Sequence, residues 1–81
     1  MEHTSGRRGI SVNALLHGNT VRMIVRFGGV VIDLCDDYNN MASAEMWKNA
    51  TYGYSAMFRV VPQSEIKDFN AEWERCREGR G

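Results

Sequence analysis

The sequence predicts an α+β domain, a two-layer sandwich of order β-β-β-α-β-α. A four-stranded mixed sheet, made of an antiparallel meander plus one strand, carries two helices on one face. Three observations predict it. First, Gly18-Asn19 and Gly28-Gly29 are dipeptides suited to two-residue primed hairpin turns, and runs of alternating residues flank both. Second, counting outward from the turns sets Val21 opposite Leu16, Met23 opposite Ala14, Val25 opposite Val12 and Phe27 opposite Ile10. The same count from the second turn sets Phe27 opposite Val30, Val25 opposite Ile32 and Met23 opposite Leu34. All these apolar residues share one face, and a slip of one residue would send the whole set to the other. Third, beyond the meander the apolar period changes to helical spacing, returns to two, and changes again.

The elements follow in order. Residues 1–9 are polar, include Arg7 and Arg8, and read as a flexible tail; residues 10–77 read as one domain and residues 78–81 as a frayed end. After the third strand, Asp36-Asp37-Tyr38-Asn39-Asn40 is a turn and capping cluster, with Asn39 or Asn40 able to accept from free helix amides. A helix is predicted over Met41–Thr51, with Met41, Ala44, Trp47 and Ala50 at three-residue spacing and Gly53 as its left-handed stop. Tyr54 to Val61 alternates as a fourth strand, parallel to whichever neighbour it returns to, with strand one and strand three both open as that neighbour. Pro62 suits the first turn of a second helix, Glu65 complements its dipole, and Ile66, Phe69, Trp73 and Cys76 mark its apolar face.

Size and composition exclude several function classes. A domain of 81 residues has a core too small to enclose a deep substrate cavity, and a partner or a second copy would add stability. Ten basic and ten acidic residues cancel, which removes the long-range attraction of an extended nucleic-acid binder. Cys35 and Cys76 are too few for a disulfide framework and lack the companions of a zinc site. No apolar run serves as a signal peptide or a membrane span, so a cytoplasmic location is expected.

No motif identifies a reaction. Asp33, Asp36 and Asp37 lack the spacing of a calcium loop, and strand alternation divides them between two faces. His3 and His17 have no nucleophile or carboxylate fixed beside them. Gly28-Gly29 leads into a strand and not into a helix, so it is not a phosphate loop. No cofactor, metal, small-molecule substrate or catalytic residue is therefore expected.

The face of the meander opposite the predicted helices is mixed. Its Arg26 lies diagonal to Asp33 and its Arg22 diagonal to Asp37, consistent with cross-strand charge pairing. Leu15, Ile24, Val31 and Cys35 intersperse those charges as apolar anchors inside a polar rim. Tyr38 and Tyr52 sit at the ends of the first helix, where a partner can reach them. The expected partner-binding residues are thus Leu15, Arg22, Ile24, Arg26, Val31, Asp36, Asp37, Tyr38 and Tyr52. They suggest a non-enzymatic protein-interaction module, an inhibitor or regulator that binds a larger protein or complex and blocks it sterically, with a homodimer as a further state. By analogy of size and class alone, phage-encoded inhibitors of host machinery such as anti-CRISPRs are chains of this kind. The alternative is a nucleic-acid-binding accessory protein using local arginine patches; the aromatic-free sheet face offers no base-stacking platform for it.

Overall fold

The computed structural model describes residues 9–80, so the tail with Arg7 and Arg8 lies outside the described residues. The chain forms β1 (Ile10–His17), β2 (Thr20–Phe27), β3 (Val30–Tyr38), α1 (Met41–Tyr52), β4 (Met57–Val60), a 3-10 turn at Gln63–Glu65 and α2 (Ile66–Arg80). The α+β class and the four-stranded mixed sheet are as predicted. The strand order is β3-β2-β1-β4, with β4 parallel to β1.

Both hairpins turn at glycine because their turns need positive φ. Gly18 has φ of 64°, while Gly28 and Gly29 have 60° and 84°, and no described non-glycine residue takes a positive φ. The first hairpin has the counted register throughout, from Ile10 opposite Phe27 to Leu16 opposite Val21.

The second hairpin keeps only its first counted pair, Phe27 opposite Val30. Ile32 is then an extra residue, so Val25 faces Asp33 and Met23 faces Cys35, in place of Ile32 and Leu34. A second irregularity lets Asp36 and Asp37 span the length that Arg22 alone covers on β2, which returns Tyr38 to a place opposite Val21. These bulges send Cys35 and Tyr38 to the α1 side and Leu34 to the other side.

Asn40 caps α1: its Oδ1 accepts from the Ser43 amide at 2.8 Å. At the far end the Gly53 amide donates to Lys48 O and Asn49 O, with Gly53 at φ 94°. Lys48 is buried, an outcome its charge does not advertise; its Nζ donates to Gly53 O at 3.2 Å and to Tyr54 O at 3.5 Å. The stem packs inward while the ammonium satisfies carbonyls just beyond the helix end.

One sheet face carries Ile10, Val12, Ala14, Val21, Met23 and Val25, covered by α1 through Ala44, Met41 and Trp47, with Ala56 and Phe58 alongside. The placement of α2 differs from expectation. It lies on the opposite face, where Phe69 and Trp73 cover Leu15 and Ile24, joined by Val31, Leu34, Val61 and Ile66. Central strands β1 and β2 are therefore apolar on both sides, and a sheet of that kind needs a helix on each. Arg22 and Arg26 do not contradict this cover, because their heads bond to carboxylates on α2 itself. β4 is shorter than the predicted strand: Tyr54 lies in the preceding turn and is exposed.

Candidate functional site

The nine residues expected to bind a partner do not form one exposed face. Ile24 has no exposed surface and Leu15 is buried beside it, both beneath α2, with Val31 packed at their margin. They are core residues, since the face they were expected to offer is occupied by Phe69 and Trp73.

The arginines are engaged as well. Arg22 donates to Asn70 Oδ1 at 3.0 Å and to Glu74 Oε2 at 2.8 Å, and its guanidinium lies 5.4 Å from the centre of the Trp73 ring. Arg26 pairs with Glu72. The predicted cross-strand pairs with Asp37 and Asp33 are replaced by these bonds to α2. On the β4 side, Arg59 makes a two-pronged pair with Glu65, at 3.1 Å and 2.8 Å, and reaches Asn13 Oδ1 at 3.3 Å. Hydrogen bonding from Arg59 holds the Glu65 carboxyl below its ordinary range, and the same bond raises the Arg59 guanidinium.

The acidic and aromatic residues near β3 have mainly internal partners. Asp33 accepts the Leu34 amide at 2.9 Å and the Tyr52 hydroxyl at 3.2 Å. Trp47 stands between Tyr38 and Tyr52, with ring centres 6.2 Å and 5.6 Å away, the second pair edge-to-face. Tyr38 and Tyr52 are therefore half-buried parts of the α1–β3 contact. Burial raises the Cys35 thiol above its ordinary value, partly opposed by a backbone hydrogen bond at Asp37. Asp36 lines a cleft on the α2 side with Leu34, Trp73 and Arg77, and Asp37 is exposed.

That cleft measures about 230 Å³, and a second, near Arg26, Arg59, Glu65 and Glu72, about 260 Å³. Both fall below the roughly 300–1,000 Å³ of ordinary small-molecule sites. Among the described residues no three His, Cys, Asp or Glu side chains converge on a metal position. Among the described residues no helix is long and apolar enough to cross a membrane.

The exposed apolar surface is elsewhere. Phe27, Val30 and Ile32 surround the second hairpin turn and are 50%, 64% and 43% exposed. Leu16, Met57 and Val60 are also more than half exposed, toward the β4 side of the sheet. Sequence reasoning assigned Phe27, Val30 and Ile32 to the core because they are in phase with it. The overlooked signal is length: an eight-residue strand extends about 26 Å at 3.3 Å per residue, whereas the twelve-residue α1 covers about 18 Å. One end of the sheet must protrude beyond that helix.

Comparisons with protein-family models, with curated proteins and with solved structures find no match to this chain.

Proposed function

We propose that this chain is a non-enzymatic protein-interaction module, an inhibitor or regulator that docks on a larger protein assembly and occludes one of its surfaces. The observation that carries this reading is the exposed apolar tip formed by Phe27, Val30 and Ile32. An aromatic and two β-branched side chains beside a two-residue hairpin turn provide a compact apolar anchor. Anti-host inhibition of the anti-CRISPR kind is this reading with a particular class of target, by analogy of size and class, and it places the protein in the cytoplasm. The carboxylate partners of Arg22, Arg26 and Arg59 favour a protein target over nucleic acid, because phosphates would compete with bonds already made.

The test is a tagged pull-down from lysate of the source cells, with and without nuclease, using the wild-type chain and Val30→Asp. One stoichiometric protein should survive nuclease, and its recovery should fall at least about tenfold with the variant, whose circular dichroism stays unchanged. Recovery that vanishes with nuclease would favour the nucleic-acid reading. Undiminished capture by Val30→Asp would remove the hairpin tip as the docking surface.

A further inference from the structure

The two edges of the sheet are protected unequally. Edge strands expose unpaired backbone groups, and proteins guard them with bulges and charges. β3 has both devices: two register irregularities, the acidic residues Asp33, Asp36 and Asp37, and a Leu34 amide already bonded to Asp33 Oδ1. β4 has neither. Its pairing with β1 is regular, and its only charged residue, Arg59, is drawn aside to Glu65 and Asn13.

Backbone parity identifies the groups left open. The Val61 amide donates to Ala14 O at 2.9 Å. In a parallel ladder alternate residues bond to the same neighbour, so Met57 and Arg59 also face β1 while the amides and carbonyls of Phe58 and Val60 point outward. Met57 and Val60, on opposite faces of this strand, leave 59% and 54% of their surfaces exposed.

We propose that the β4 edge is a two-fold interface between two copies of this chain, joining their sheets into one eight-stranded sheet through antiparallel β4 strands. The occupant is a second copy because the edge is self-complementary. With Phe58 on the axis, each Phe58 amide meets the Phe58 carbonyl of the other copy, and each Val60 amide meets the opposite Ala56 carbonyl. Charge selects this register. It places Arg59 across from Met57, whereas the neighbouring two-fold register would set Arg59 directly against its own counterpart, a destabilising like-charge pair. A chain with zero formal charge brings no net repulsion to self-association. Pro62 ends the edge, which limits pairing to this short segment.

Light scattering on the full chain tests the proposal together with concentration-dependent amide exchange. The expected mass is twice that of the chain, with the Phe58 and Val60 amides gaining protection as the dimer forms. Val60→Lys, at an exposed position on the edge, should raise the dissociation constant at least about tenfold with unchanged circular dichroism. A monomer at all concentrations up to about 1 mM would overturn the proposal. So would a dimer that tolerates Val60→Lys and leaves those two amides unprotected, or protection of them only on adding a foreign protein.

Discussion

Truncating Ile24 to alanine tests the position of α2 directly. Ile24 has no exposed surface and packs with Leu15, Val61, Phe69 and Trp73. Removing the side chain forfeits its transfer free energy and leaves a cavity, at a combined cost of about 2–5 kcal/mol. Total stability for 81 residues is roughly 4–12 kcal/mol at about 0.05–0.15 kcal/mol per residue, so this one truncation removes a large share of it. With both helices on the other face, Ile24 would lie in water and the same change would stay within about 0.5 kcal/mol. Guanidinium unfolding followed by far-ultraviolet circular dichroism measures the difference, as a midpoint lowered by about 1 M at constant m-value. A cycle between Ile24→Val and Trp73→Phe adds a test of contact using milder changes that keep the double variant folded. Trp73 Nε1 is buried without a hydrogen-bond partner, so Trp73→Phe sacrifices volume and no hydrogen bond. The two losses should couple by at least about 0.5 kcal/mol. A neutral Ile24→Ala together with an additive cycle would refute the placement of α2.

Two further outcomes follow from local geometry. Asn40→Ala removes the acceptor for the Ser43 amide and should lower stability by about 1 kcal/mol, with Asn40→Asp largely retaining it, as read by thermal unfolding at neutral pH. Because Arg59 depresses the Glu65 pKa in the folded state, the pair stabilises above the unfolded carboxyl pKa and loses that contribution as pH falls through the lower folded value. Glu65→Gln should therefore be less stable than wild type at pH 7, and the gap should close in acid and narrow at high salt; a gap independent of both would refute this role.

The first hairpin was fully legible because its turn glycines and its alternation constrain the same register. The second was legible only to its first pair, since a β-bulge adds a residue without altering composition: Ile32 looks like one more inward residue in an alternating run. That single insertion moved Leu34 to the α2 face and Cys35 to the α1 face, reversing the assignments made for both. The side taken by α2 was illegible for another reason. Arginine has a long apolar stem beneath a polar head, so Arg22 and Arg26 around Ile24 fit a solvated face and a helix-covered one equally well. The distinguishing partners, Asn70, Glu72 and Glu74, lie 46 to 52 residues away in the chain, where no local pattern links them to β2.

Covering both sheet faces changes where a chain of this size can interact. Leu15 and Ile24 become cohesion between layers, and the charged rim first read as a recognition surface becomes the fastening of α2. Among the described residues, apart from Met46 on α1 and Tyr54 in the turn before β4, the exposed large apolar side chains lie at the Phe27–Val30–Ile32 tip and toward the β4 edge, whose short strand has no bulge. The two sites lie in different parts of the sheet, the tip where β2 turns into β3 and β4 beyond β1 at the opposite edge. Self-association through β4 therefore leaves both hairpin tips open, and a two-fold dimer can present two copies of the anchor to a target with matching repeats. Val30→Asp should abolish capture of a foreign protein while preserving the dimer, and Val60→Lys should preserve capture by the monomer while weakening avidity for such a target. If either substitution abolished both activities with the fold intact, the tip and the edge would be one interface and the separation argued from the strand order would fail.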